Sequence, residues 1–369
     1  MDTPIGPNSA PVTAPEEILR VENLHVEFPV YSGVIQALNG FDLAVNRGEM
    51  AALVGESGSG KSVAAWAMLN LPKSPGRIVA GEVRWHGDPV QQMPTERLRR
   101  YRGKEVSLIL ANPRSQLHPL RRVGDQIEAV LRAHQHASRT EEREKVLTML
   151  TAVGLPDPAR VSKSYPHELS GGMAQRIIIA MALINSPQLV IADDATNGLD
   201  VTVQRQVLDL MTDLVGRHQA SMLMITHDLG VVAQYCKRAT VMYAGQAVEV
   251  AETDRLFDNP CHPYTKGLLG TIRAAGSERG KPLPGLPPDP AALPPGCYLE
   301  PRCPVRLPEC KHLRPEMREV EPGHWVRCVR FSDIRSRPEP EKPAVALRPV
   351  GAVAVRDKLL TETNGRSPS

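Results

Sequence analysis

The sequence predicts an α/β domain built on a largely parallel sheet, followed by a small cysteine-rich region. Three observations lead there. Short apolar runs such as MAALVG and LVIADD alternate with glycine turns and helix-like stretches up to about residue 250, the pattern of a parallel sheet covered by helices. Residues 125–154, from DQIEAVLRAH to REKVLTMLTAVG, read as helical and polar on one side, which suggests a helical insertion in that body. After Tyr264 the composition changes to a proline-rich stretch that leads to four of the six cysteines.

In chain order, residues 1–17 (MDTPIGPNSAPVTAPEE) offer proline, small residues and charge, with little apolar surface to bury. They are expected to be disordered. From Leu19, LRVENLHVEF and FDLAV read as strands, NRGE as a turn, and MAALVG as a buried strand. The expected main domain is 18–270, with its helical insertion at about 112–175. Residues 271–334 are expected to hold a linker (GSERGKPLPGLPPDPAALPPG) and the cysteine-rich extension, and 335–369 a flexible tail. No internal repeat argues for an array.

Bulk properties restrict the function. The chain has 369 residues, 44 basic and 41 acidic, for a net charge of +3. That balance, with no basic arm, gives no footprint of a nucleic-acid partner. Hydrophobic residues reach 41% but aromatics only 4%, so the core must be mainly aliphatic. No stretch has the roughly 18–20 apolar residues of a membrane helix. The first twenty residues lack the basic start and apolar centre of a signal peptide. The expectation is a cytoplasmic protein whose membrane role comes through a partner.

Residues 55–62, GESGSGKS, match GxxxxGK[ST] directly after an apolar strand. Gly55, Ser57, Gly58, Ser59 and Gly60 form a loop whose backbone N–H groups can turn toward phosphate. Lys61 can reach the terminal phosphates, and the Ser62 hydroxyl can ligate magnesium. Downstream, LVIADD is an apolar strand ending in two carboxylates. Asp193 can hold magnesium, while Asp194 stands where a base or water-orienting group is useful. His227, in LMITHDL, ends another apolar strand, and such ends converge on the ligand at one edge of a parallel sheet. Between them lies LSGGMAQ, Leu169–Gln175, opening a helix. Ser170, Gly171 and Gly172 can offer a hydroxyl and close N–H groups to a phosphate.

GESGSGKS, LSGGMAQ, LVIADD, NGLD and THD, in that order, resemble the Walker A, signature, Walker B, D-loop and switch-histidine motifs of ABC ATPases. The likeness covers about residues 19–270. NPCHPYTKGLL and PGCYLEPRC resemble the oligopeptide/dipeptide importer branch and extend it to about residue 330. The resemblance implies a P-loop ABC ATPase domain with a mostly parallel sheet, an antiparallel N-terminal β subdomain and a helical insertion. It implies ATP and Mg2+ held between the Walker motifs of one domain and the signature of another. The implied partners are a homologous ATPase subunit, two transmembrane permease subunits and an extracytoplasmic solute-binding protein, with the chain peripheral at the cytoplasmic face of the membrane. Asn112–Ile127 should face the membrane subunits. An upstream aromatic residue, Phe28 or Tyr31, should stack on adenine.

Two positions depart from the family. LANP (Leu110–Pro113) puts Ala111 where the family usually has glutamine, and Asp194 replaces its catalytic glutamate. Both fall on the Walker side of one composite site, while Lys61, Ser62, Asp193 and the signature are intact. The expectation is an asymmetric heterodimer in which this chain's own site is slow and its signature completes the partner's. The alternatives are a non-hydrolysing regulatory subunit and, more remotely, a soluble ABC protein acting on nucleic acid.

Cys297, Cys303, Cys310 and Cys328 lie within 32 residues, outside which stand Cys236 and Cys261. Four thiols in a short, proline-rich segment suggest a metal that substitutes for a core. Zinc and a [4Fe–4S] cluster are both chemically sensible, and the spacing matches neither a ferredoxin run nor CxxC knuckles. The segment resembles the C-terminal extension of peptide-importer ATPases, some of which carry an iron–sulfur cluster, so a [4Fe–4S] cluster is favoured, with zinc and no metal as the alternatives. His312 and His324 could each replace a cysteine.

Overall fold

The computed structural model describes residues 16–31, 33–271 and 283–331. Most of the expected disordered start and all of the expected flexible tail lie outside these residues. The chain begins with β1 (Glu17–Val30) and β2 (Gly33–Asn46), a long antiparallel pair with register shifts along its length. Both strands run longer than the sequence suggested, because the pairing carries through polar residues that break the apolar pattern. β4 (Arg77–Trp85) and the two-residue β5 (Asp88–Pro89) complete a four-stranded antiparallel sheet.

The second sheet holds β3 (Met50–Val54), β6 (Val106–Ile109), β7 (Leu189–Asp193), β8 (Ser221–Thr226), β9 (Arg238–Tyr243), β10 (Gln246–Glu252), β11 (Arg318–Glu321) and β12 (His324–Val326). Its order is β11-β12-β10-β9-β3-β8-β7-β6. The five strands from β9 to β6 are parallel. The remaining three pair antiparallel, so the largely parallel expectation describes only the centre of a mixed sheet. β11 and β12 come from the C-terminal region, which is therefore built onto the main sheet.

The central strands read as unbroken apolar runs because both faces are covered. Leu53, Ile191 and Ile225 pack toward the antiparallel sheet and Met68, while their neighbours Val54, Val190 and Met224 pack toward Ile127, Leu150, Ile177 and Val207. The expected single helical stretch is two helices, Val123–Arg132 and Arg139–Ala152. A reciprocal Ser138–Glu141 capping box starts the second one afresh. Helices Gly171–Leu183 and Val201–Arg217 cover the same face.

Candidate functional site

The parallel strands deliver their C-terminal ends to one edge, and there the chain forms a cavity of ≈ 500 Å³. At its polar end lie Ser57–Ser62, Asp194, Asn197 and His227; at the other lie Ile35, Gln36, Ala37, Tyr243 and residues of the segment 287–293. The loop after β3 turns directly into the helix Lys61–Met68. Two glycines are obligatory there. A Cβ on Gly55 would lie 2.2 Å from the Met242 carbonyl oxygen, and Gly60 caps the helix at φ +107° with a Cβ position 2.7 Å from Ala37 O. No acidic residue occupies the helix's first turn, so its positive end is free to meet an anion.

Lys61 is 7% exposed, and its Nζ donates to the carbonyls of Gly55 and Glu56, each at 2.8 Å. Burial lowers its pKa, opposed by Asp194, Asp193 and Glu56. Asp193 is 5% exposed; burial raises its pKa, and a hydrogen bond from Ser62 opposes that. Asp193 Oδ1 and Ser59 Oγ are buried without a hydrogen-bond partner. A buried carboxylate with a spare oxygen beside a hydroxyl is a donor set of hard oxygens, suited to Mg2+. Asp194 has φ +44° and meets His227 Nδ1 at 3.3 Å through Oδ1. The backbone N–H of Asn197 donates to Asp194 O at 2.9 Å, which draws the D-loop against the same edge.

Ser170 stands apart. It caps the helix Gly171–Leu183 by accepting the Met173 N–H at 3.2 Å, and it is exposed with Gly171 and Gly172 behind it. None of the three lines the cavity. The two phosphate-binding surfaces of the chain thus face different spaces.

Phe28 lies on the β1–β2 hairpin opposite Ile35, and its ring packs against Gly76, where an added Cβ would meet it at 2.6 Å. Tyr31 is fully exposed. Neither lines the cavity, whose apolar end is made by other residues. At the end of β6, Ala111 has no polar side chain, and Gln116 folds back so that its Nε2 donates to Leu110 O at 2.8 Å.

Sequence reasoning missed the supports of the phosphate loop. Tyr264 is buried, and its hydroxyl accepts the Glu56 N–H at 2.8 Å. Arg302 reaches the Glu56 carboxylate with Nη1 at 3.0 Å and Nη2 at 3.2 Å. No local pattern signals a contact between residues 246 positions apart.

All four cysteines of the C-terminal region are free thiols, and the Cys310 sulfur accepts the Leu307 N–H at 3.5 Å; backbone N–H groups near the other three act against the effect of burial on their thiols. Burial pushes Cys297 and Cys328 up to about 11. His312 is exposed. His324 is buried with Nε2 at 2.7 Å from Glu249 Oε1, and with Cys261 these two form the only trio of metal-capable side chains within 4.8 Å of one another among the described residues. Glu249 is already engaged by the backbone N–H groups of Cys261 and His262. Among the described residues no helix is long and apolar enough to cross a membrane.

Comparison with known proteins adds five findings. Residues 38–197 match the ABC transporter family, and residues 248–310 match the oligopeptide/dipeptide transporter C-terminal region. The dipeptide transport ATP-binding protein DppD of Bacillus subtilis is 41% identical over 85% of this chain and 94% of its own length. A probable peptide ABC transporter ATP-binding protein of Sinorhizobium fredii is 42% identical over 86% and 96%. The ATP-binding cassette MJ0796, a dimer bound to ADP and Pi in a post-hydrolysis state, superposes with a TM-score of 0.56 at 25% identity, covering 64% of this chain and 99% of that one.

Proposed function

This chain belongs to the ATP-binding subunits of peptide and oligopeptide ABC importers, ATPases that drive transport, and from that premise we propose how its residues divide the work. The carrying observation is the separation just described: the Walker groups, Asp194 and His227 share one cavity, while Ser170 is exposed outside it. A signature that cannot reach its own phosphate loop serves a second subunit. The chain therefore works head-to-tail with a homologous ATPase, as a pair beneath two transmembrane permease subunits at the cytoplasmic face, supplied by an extracytoplasmic solute-binding protein. Asn112–Ile127, carrying the 81%-exposed Leu120, is the surface offered to the permeases. No nucleic acid enters this scheme.

At the cavity, Lys61 and the N–H groups of Gly58–Ser62 hold the β and γ phosphates of ATP. Ser62 and Asp193 hold Mg2+, which when bound neutralises phosphate charge. Asp194 orients the water that attacks the γ phosphorus and accepts its hydrogen bond. His227 stands across from Asp194 to contact the γ phosphate. As the bond to the β–γ bridging oxygen breaks, ADP leaves with that oxygen, the water oxygen stays on phosphorus as part of inorganic phosphate, and the water proton passes by way of Asp194 to phosphate or solvent.

Asp194 is one methylene short of a glutamate, and Ala111 has no amide to place near the water; Gln116, five residues on, is folded back onto Leu110. Both losses lie on the Walker side, so this site is the slow one and the partner's, completed by Ser170–Gly172, is the fast one. ATPase assays of the assembled transporter test this. Lys61→Ala in this chain should spare most turnover, and the matching change in the partner should remove it. The reverse outcome ends the asymmetric reading.

For the cysteines we favour a [4Fe–4S] cluster in a C-terminal extension spanning 271–334. The support is chemical. The N–H donated to Cys310, and the backbone N–H groups near the other three sulfurs, would stabilise thiolates bound to a metal centre. A tetrahedral zinc would bring its sulfurs to about 3.8 Å from one another, yet no three of these lie within 4.8 Å among the described residues. A cluster, with one thiolate at each of four irons, takes a more open set. Bound there, it would tie Cys297, Cys303, Cys310 and Cys328 together as a structural element.

A further inference from the structure

The apolar end of the cavity is made by an unexpected part of the chain. Pro287, Pro288, Pro290 and Leu293, from the stretch between the last helix of the ATPase body and the first of the four cysteines, line it beside Ile35 and Ala37. The Pro290 carbonyl accepts the Gln36 N–H at 2.9 Å, which stitches this segment to the start of β2. Leu283 seats its side chain against Gly267 so closely that a Cβ there would lie 2.5 Å from it. The segment is held at both ends.

Arg302 is the clasp. Its Nε donates to the Pro284 carbonyl at 3.0 Å, while Nη1 and Nη2 take the Glu56 carboxylate. The guanidinium lies 5.7 Å over the Tyr243 ring, and its side chain is only 7% exposed. A bidentate pair shielded from water on one side and stacked on the other is geometrically specific. Glu56 is the second residue of the phosphate loop, and left alone its charge would oppose a triphosphate. Arg302 cancels that charge and binds the proline segment to the loop with the same head group.

We propose that residues 284–293 are the base-side wall of the nucleotide site, clasped to the phosphate loop by Arg302. This rests on the reading of the cavity as the ATP site. The rings of Pro287, Pro288 and Pro290 and the side chain of Leu293 supply an apolar face of the right chemistry for a flat purine. Prolines suit the task because their fixed φ leaves little backbone freedom to lose on binding. The wall acts on the base and the clasp on the phosphates, so the two are separable.

The test is calorimetric titration of the full chain with ATP and, in parallel, with inorganic tripolyphosphate, which has no base. Pro288→Ser with Leu293→Ser touches only half-buried surface positions. It should weaken ATP about tenfold, the worth of roughly 55 Å² of apolar contact, and leave tripolyphosphate unchanged. Arg302→Met should weaken both ligands and speed hydrogen exchange at the amides of residues 285–293. Adding Glu56→Gln should restore tripolyphosphate but not that amide protection. Unchanged ATP affinity in the double serine variant, or equal loss of both ligands in it, overturns the wall. A wild-type chain that binds neither ligand overturns the reading of the cavity itself.

Discussion

Asp194→Glu should speed hydrolysis at this chain's own site. Asp194 lines the cavity and is tethered only loosely, at 3.3 Å from His227 Nδ1. Glutamate would carry the carboxylate about 1 Å further toward the attacking water, a displacement that governs rates by about a hundredfold. The backbone works against the change. Asp194 sits at φ +44°, where aspartate is tolerated better than glutamate, so folding should lose about 1 kcal/mol. That cost falls on stability, because the loop is equally strained in ground and transition states. The net expectation is a ten- to hundredfold gain in kcat with a slightly lower Tm. The assay is steady-state phosphate release by the assembled transporter, with the partner's Walker lysine replaced so that only this site turns over. Ala111→Gln, added to the same chain, should raise the rate again. A rate that stays level or falls with glutamate present would refute the reasoning: the aspartate would already be at the right distance, and the two sites would be equivalent.

Three further outcomes follow from the same geometry. Ser170→Arg, at an exposed cap outside the chain's own cavity, should cut hydrolysis at the partner's site by about a hundredfold or more while this chain binds ATP as before; loss of its own binding in a titration would place the signature in cis. Cys328→Ser should abolish the roughly four iron and four sulfide per chain expected after anaerobic purification, and if the clasp is set by its neighbour Cys303, ATP affinity should fall with it. Stability should peak near pH 6.5 in thermal unfolding. Burial holds His262 down to about 4, so the unfolded chain alone takes up a proton between pH 6.5 and 4 and stability falls as the solution acidifies. Burial also opposes charge on His324, but hydrogen bonds to Cys261 and Glu249 win and raise it to about 9, so its contribution is lost as pH rises from 6.5 through 9. Each arm amounts to at most about 3–4 kcal/mol, and a flat profile from pH 5 to 9 would contradict both.

The phosphate half of the site was legible because it is local. Gly55–Ser62 is contiguous, and Asp193, Asp194 and His227 each end a strand whose apolar run is plain in the sequence. Parallel pairing then brings those ends together without further information. The base half was not legible because it is assembled across the chain. Ile35 and Gln36 precede the phosphate loop, and the prolines follow it by more than two hundred residues. The composition of 283–296 signals a linker, since proline excludes helix and sheet, and says nothing of where such a segment lies. Phe28 and Tyr31 could not be told apart for a related reason. Sequence marks an aromatic residue, but only the β1–β2 register turns one onto Gly76 and the other into solvent.

The mixed sheet explains why the C-terminal region can matter to ATP at all. β12 pairs with β10, which pairs with β9, and β9 lies beside β3, the strand that feeds the phosphate loop. A region added at the sheet's edge is thereby fixed in the same frame as Lys61. From that edge the chain reaches the cavity twice, through the Pro287–Leu293 segment and through Arg302, with Cys297 and Cys303 bracketing the clasp. A group that bound these thiols would set the position of Arg302 by its neighbours on both sides. The Arg302–Glu56 pair and the Pro290–Gln36 bond are already formed with the four thiols free, so a group bound there would act by steadying the clasp rather than by creating it, and that is measurable without hydrolysis.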